Sequence, residues 1–145
     1  MTMKKIMICA IAAFAFTTIA SCYERPVTFE QLPAQAQTFI NNNFPGDKMT
    51  LATEDDDVVR PDYEVRLASG TEIEFDYSGL LKKVSSRSGI PADIVPAAIR
   101  NYVATHYPDA GFREYEIGRK THEVTLSNGL EFKFNSRYQV IEVDD

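Results

Sequence analysis

A chain of 145 residues with 44% hydrophobic and 25% charged side chains is long enough to bury one proper core without help from metals or disulfides. Its 21 acidic residues outnumber 15 basic ones, and the formal charge of −6 argues against nucleic acid or an anionic lipid surface as a partner. Two cysteines and no tryptophan leave little material for redox chemistry or for the usual aromatic anchors of binding hot spots.

The first 21 residues read as an export signal. Lys4 and Lys5 form a basic start, and Ile6 to Phe16 is an apolar run of 11 residues, too short to span a bilayer. Ile19-Ala20-Ser21-Cys22 resembles a bacterial lipobox, in which Cys22 becomes the acylated first residue of the mature protein. Ordinary cleavage after Ala20 is the competing reading. Tyr23 rather than Asp after the cysteine resembles Gram-negative lipoproteins sorted to the outer membrane. Cys9 leaves with the signal, so the mature chain holds only Cys22 and no internal disulfide. Loss of Lys4 and Lys5 takes the mature charge to −8. Membrane contact is therefore expected only through an N-terminal lipid anchor, on the periplasmic side of the envelope, and otherwise the protein is soluble periplasmic.

A short linker, residues 22–27, leads into two copies of one pattern, about 28–86 and 90–145. Leu32-Pro33 through Phe39-Ile40 to Phe44-Pro45 returns as Val95-Pro96 through Tyr102-Val103 to Tyr107-Pro108 at an offset of 63. Leu32, Ala36, Phe39, Ile40 and Phe44 form one apolar helical stripe, as do Val95, Ile99, Tyr102, Val103 and Tyr107. Pro33 and Pro96 suit a first helical turn, and Pro45 and Pro108 mark where each helix has stopped. Thr28-Phe29-Glu30-Gln31 resembles a capping box on a separate short turn before the helix.

Strands follow each helix. Tyr63-Val65-Leu67 alternates with Glu64 and Arg66; after the turn at Ser69-Gly70, Ile73 and Phe75 alternate with Glu72 and Glu74. The same hairpin returns at an offset of 59, with Val124 and Leu126, the turn Asn128-Gly129, then Phe132 and Phe134. Weaker strands precede and close each hairpin, near residues 48–53, 81–85, 112–119 and 140–143. Period-two alternation puts one face in the core and the other in water. The expected architecture is α+β: a tandem repeat of a helix plus four antiparallel strands, forming one eight-stranded sheet with both helices on one face.

Leu-Pro and Phe-Pro helix boundaries followed by Tyr-x-Val-x-Leu-x-x-Gly-x-x-Ile/Phe-x-Phe-Asp/Asn resemble the PepSY-like, beta-lactamase-inhibitor-like domain of exported proteins in Bacteroides-type bacteria. The resemblance covers residues 26–145 and rests on core and turn positions, so it speaks to fold and not to activity. It implies a tandem α+β domain with an exposed sheet face. The inhibitor that lends the fold its name grips its enzyme with a concave sheet face, but none of its inhibitory loop matches here.

The outward strand residues Glu64, Arg66, Glu72, Glu74, Glu123, Thr125, Glu131 and Lys133 make a candidate face for a periplasmic or envelope protein or peptide. Glu54, Asp55, Asp56 and Asp57 are a weak candidate calcium loop, since Ca²⁺ takes six to eight oxygens, but they lack the EF-hand order and read more simply as a solvated loop. His106 and His122 stand in different elements, which disfavours a metal pair or a Ser/His dyad. No phosphate loop, dinucleotide fingerprint, HExxH, CxxC or nucleophile elbow occurs. The residues thus favour a non-enzymatic binding module without cofactor. A calcium-responsive protein using residues 54–57 is the alternative, and a small hydrolase using strand carboxylates the second.

Overall fold

The computed structural model describes residues 24–55 and 59–145. The export signal, Cys22, Asp56 and Asp57 lie outside the described residues. Among the described residues nine antiparallel strands form one sheet in simple chain order. They are β1 (Glu24–Pro26), β2 (Met49–Asp55), β3 (Tyr63–Leu67), β4 (Glu72–Phe75), β5 (Leu81–Ser85), β6 (Phe112–Ile117), β7 (Thr121–Leu126), β8 (Glu131–Asn135) and β9 (Val140–Asp144). Helix α1 (Ala34–Asn43) lies between β1 and β2 in sequence, and α2 (Ala97–His106) between β5 and β6.

The sheet has nine strands and not eight because β1 joins it along β2. Residues 24–26 carry no alternation that sequence could register; backbone pairing holds them, with Pro26 opposite Thr53 and Val27 donating to the Ala52 carbonyl at 2.9 Å. A proline fits only at such an edge. The two halves meet where β5 pairs with β6, Val84 opposite Tyr115, so the ladder runs through both copies without a break.

One row of side chains crosses eight strands on the helix side: Ala52, Val65, Ile73, Val84, Tyr115, Val124, Phe132 and Val143 are successive partners. Val65, Phe75, Val124 and Phe134 are each at most 1% exposed. They share one core with Leu32, Ala36 and Ile40 of the first helical segment and Val95, Ile99 and Val103 of the second. Phe39 meets Phe75 edge-on at 5.6 Å, and Tyr102 meets Phe132 and Phe134 at 5.8 and 5.6 Å. Both helices therefore cover the same face. Helices of ten residues are marginal alone, and this packing is what holds them.

Pro33 and Pro96 sit one position earlier than a first helical residue, as the caps. The residue four places on ties down the entering chain in each copy. Gln37 donates to the Leu32 carbonyl at 2.9 Å, and Arg100 to the Val95 carbonyl at 3.0 Å. Before α1, the Thr28 amide donates to the Gln31 side chain at 2.8 Å, capping a single 3-10 turn at Phe29–Gln31.

The turns after β4 and β8 are built alike. The Asp76 carboxylate accepts from the Ser78 hydroxyl at 2.6 Å and from the amides of Ser78 and Leu80 at 2.9 and 3.0 Å; the Asn135 side-chain oxygen accepts from the amides of Arg137 and Gln139. Each turn ends in a left-handed residue, Gly79 (φ +90°) in the first copy and Tyr138 (φ +60°) in the second. Gly79 is pressed against the start of α1. A Cβ there would lie 2.8 Å from that of Pro33 and 2.9 Å from the Ala36 nitrogen. Gly129 is equally left-handed (φ +93°), but a Cβ on it would meet nothing within 4 Å.

Gly79→Ala is therefore expected to cost about 2–4 kcal/mol in urea unfolding, combining backbone strain with overpacking, whereas Gly129→Ala costs about 1 kcal/mol from backbone strain alone. Equal losses would show that the approach of this turn to α1 is soft.

Candidate functional site

The side of the sheet away from the helices carries two further rows. One runs Leu51, Arg66, Glu72, Ser85, Glu114, Thr125, Glu131, Asp144; the other runs Thr53, Glu64, Glu74, Lys83, Glu116, Glu123, Lys133, Glu142. All eight residues expected on an outward face, Glu64, Arg66, Glu72, Glu74, Glu123, Thr125, Glu131 and Lys133, stand in these rows. Lys83, Glu114, Glu116, Glu142 and Asp144 join them without having been singled out, because β5, β6 and β9 carry register shifts that blur their alternation.

Nine carboxylates face three cations across these rows. Each cation is held between two acids. Arg66 lies 3.2 Å from Glu64 and 3.6 Å from Glu72, Lys83 lies 3.1 Å from Glu114 and 4.0 Å from Glu116, and Lys133 lies 3.2 Å from both Glu123 and Glu142. Hydrogen bonds donated to Glu142 and Glu123 raise the Lys133 ammonium above its usual range. Burial alone would lower Lys83, but Glu114, Glu116 and Glu74 together outweigh it and the group is raised as well. Three acid pairs have no cation between them in register: Glu64 is directly opposite Glu74, Glu116 directly opposite Glu123, and Glu131 directly opposite Asp144. Like charges so placed are destabilising.

At the β1 edge Glu54 and Asp55 belong to strand β2 and not to a solvated loop. Being neighbours in a strand, they point to opposite faces. Glu54 turns toward the core side, 9% exposed, and is paired with Arg25. Pairing of β2 with β1 and β3 carries the strand further than hydropathy could show. Asp55 instead borders a cleft of about 190 Å³ with Glu24, Thr53, Asp62, Tyr63, Glu64 and Glu74. Asp62 receives a 2.5 Å hydrogen bond from Lys82. Among the described residues no three His, Cys, Asp or Glu side chains converge as a metal cage.

The two histidines are far apart in the chain's architecture, as expected. His106 stacks on Tyr102 at 4.2 Å at the end of α2. His122, on β7, accepts from or donates to the Tyr115 hydroxyl at 2.8 Å, and its ring lies 4.9 Å from that of Tyr138. Burial pushes Tyr115 up to about 12, with Tyr138 adding to the shift, and burial lowers His122. A neutral imidazole accepting from a neutral phenol is the state that such a site favours. The first copy has Ala52 and Tyr63 in the corresponding places, so this polar pair belongs to the second copy alone.

Two copies of a helix on a shared antiparallel sheet, with one face left wet and acidic, define a tandem α+β domain with an open sheet surface. The chain belongs to the PepSY-like family, whose model, described as "Putative beta-lactamase-inhibitor-like, PepSY-like", matches residues 61–142. Several solved structures share the fold, three of them from Bacteroides species. A "putative periplasmic protein" of Bacteroides vulgatus is 38% identical, with a TM-score of 0.82, over 86% of this chain and 99% of its own. A "putative calcium-regulated periplasmic protein" of Bacteroides thetaiotaomicron is 37% identical, with a TM-score of 0.80, over 84% of this chain and 97% of its own. A second Bacteroides vulgatus structure, described as a "putative periplasmic protein of unknown function", is 27% identical, with a TM-score of 0.78, over 84% of this chain and 99% of its own. No match is found among the curated proteins. Among the described residues no helix is long and apolar enough to cross a membrane.

The depressed His122 ionisation has a measurable consequence. Because the unfolded chain takes up this proton more readily than the folded one, stability contributed by neutral His122 is full above the ordinary value of 6.5 and is lost as pH falls through the lower folded value. Urea unfolding at a series of pH values should therefore show a steeper acid-side loss in the wild type than in His122→Gln, which keeps an acceptor for Tyr115 without a titrating ring. Parallel curves would remove His122 as the cause.

Proposed function

We propose that this protein is a non-enzymatic binding module of the cell envelope, exported and tethered by an acylated Cys22, whose open sheet face docks a periplasmic protein or peptide. The observation that carries this reading is the pairing of Glu64 with Glu74, of Glu116 with Glu123 and of Glu131 with Asp144. A sheet face that only has to be soluble does best with alternating charge, and direct acid–acid pairs cost a few tenths of a kcal/mol or more each. A partner carrying Lys or Arg opposite these rows converts that cost into attraction and speeds encounter. Surface carboxylates spread along a sheet lack the enclosed, water-poor setting that acid–base catalysis needs, which favours binding over hydrolysis.

A second reading is favoured by one specific feature. The cleft at the β1 edge is bordered by Glu24, Asp55, Asp62, Glu64 and Glu74, oxygen donors suited to a hard cation, although no three of them converge as a cage in this structure. The chain's similarity to a structure described as calcium-regulated supports a calcium response, with Asp55 drawn from the expected acidic loop. Such a surface site would bind at the weak, near-millimolar end of the range for extracellular modules.

Cross-linking and pull-down from envelope extracts should yield a partner profile with the wild type that Glu64→Lys, Glu72→Lys and Glu131→Lys together abolish. Binding should weaken as salt rises. An unchanged profile would count against the face. In the same extracts Cys22→Ala should move the protein from the membrane to the soluble fraction; no redistribution would sink the lipid tether.

Calorimetric titration with Ca²⁺ tests the second reading. Heat of binding and a raised Tm at about millimolar calcium are expected for the wild type. Both should be lost in Asp62→Asn with Glu74→Gln. No heat and no shift in the wild type would end the calcium reading.

A further inference from the structure

The acidic face is interrupted at its centre. Where β5 meets β6, the middle of the nine-stranded sheet, a groove of about 370 Å³ opens over Glu72, Ser85, Glu114 and Thr125, which are successive partners in one outward row. Its rim is formed by Arg87 and Arg113. The hollow exists because Ser85 is short and Gly70, on the neighbouring turn, has no side chain to fill it.

The groove lining carries two carboxylates and two guanidinium groups, so it lacks the acid excess of the rest of the face. Its two carboxylates are already engaged, Glu72 by Arg66 at 3.6 Å and Glu114 by Lys83 at 3.1 Å. Among the described residues no carboxylate pairs with Arg87 or Arg113, although the three cations within the rows have two acids each. The backbone places the two arginines together: the Ser86 amide, next to Arg87, donates to the Arg113 carbonyl at 2.9 Å.

The position of Arg113 is special in a second way. The register between β6 and β7 shifts between Phe112 and Glu114, leaving Arg113 as the extra, unpaired residue of a bulge. Bulges re-aim a side chain out of the regular ladder. The first copy has the same bulge between Met49 and Leu51, and there the extra residue is Thr50, whose hydroxyl simply caps the Arg66 carbonyl at 3.1 Å. The same backbone device carries a local cap in one copy and a guanidinium over a groove in the other.

We propose that this central groove captures a carboxylate, gripped by the paired guanidinium forks of Arg87 and Arg113. The proposal rests on the reading that the open face docks a partner and specifies that partner's chemistry: cationic groups along the rows and one carboxylate at the middle. Planar guanidinium groups match a carboxylate with two parallel hydrogen bonds, and Ser85 and Thr125 supply further hydroxyl donors on the floor. The carboxylate comes either from a chain terminus or from an Asp or Glu side chain.

The test is an NMR titration of the full mature protein, following the Arg Nε–H signals. The probes are acetate and three short Thr/Val peptides: one with a free C-terminus, one amidated, and one amidated with a central Asp. Acetate and at least one carboxylate peptide should shift the Arg87 and Arg113 signals saturably by about 10 mM, while the neutral amide should not. Preference between the two acidic peptides identifies the source. Arg87→Gln with Arg113→Gln should weaken acetate and peptide binding at least tenfold, and because both side chains are exposed the fold should be retained. Arg113→Lys should recover only part of the affinity, since an ammonium cannot fork.

A neutral amide binding as tightly as the acids, unchanged affinity in the double Gln variant, or no saturable shift with any carboxylate would each overturn the groove. These outcomes separate from failure of the docking face. Amide binding lost only on reversing Glu64, Glu72 and Glu131 would leave the face standing without its carboxylate site. Saturable acetate binding with no envelope partner would do the reverse.

Discussion

The structure depends on one uninterrupted row of buried side chains, Ala52 to Phe132, running across seven strands beneath two short helices. Neither copy of the repeat buries enough on its own: a ten-residue helix on half of this sheet leaves the strand at the join with an open ladder and an uncovered apolar edge. Pairing of Val84 with Tyr115 removes both problems at once. From that constraint everything on the opposite face follows, because a strand residue whose side chain is not on the helix side must point outward.

Register shifts decide what that outward face looks like. Bulges after Met49 and after Phe112 each insert one residue, so the strand beyond them keeps its apolar side on the core while the extra side chain is released outward. Shifts at Glu74 and Lys133 do the same against β5 and β9. Without them the charged rows would not stay continuous from β2 to β9. The acid excess is thus a property of the whole sheet and not of any local motif, and its electrostatic cost is borne by a core that spans both copies.

Sequence periodicity was enough to place Val65, Phe75, Val124 and Phe134 inside and Glu64, Glu72, Glu123 and Glu131 outside, because the two central hairpins alternate without interruption. It could not show β1, whose three residues are held by backbone pairing and end in proline. Nor could it show that Glu54 is drawn into the core side beside Arg25, since the partner lies across a strand that sequence does not announce. Lys83, Glu114, Glu116 and Glu142 stayed hidden because a one-residue bulge inverts parity at the point where a period-two argument relies on it. The Tyr115–His122 contact needed the register of β6 on β7, which brings residues seven apart to 2.8 Å.

The repeat itself is the best guide to which features exceed folding. Where the copies agree, as in Gln37 and Arg100 tying down a helix entry or Asp76 and Asn135 organising a turn, architecture alone accounts for the side chain. Where they differ on a common backbone, architecture has left the choice open. Thr50 against Arg113 is such a place, and Gly79 against Tyr138 is another: the first turn needs glycine because α1 presses on it, while the second tolerates a strained tyrosine that packs against His122. A left-handed tyrosine costs about 1–2 kcal/mol relative to a relaxed backbone, so its ring contact must return a comparable amount or serve something besides stability. Two of the divergent positions, Tyr115 in the core row and Arg113 in the bulge before it, fall on β6, the first strand of the second copy at the join. The seam that makes one domain out of two copies thus also carries two of the second copy's departures from the first.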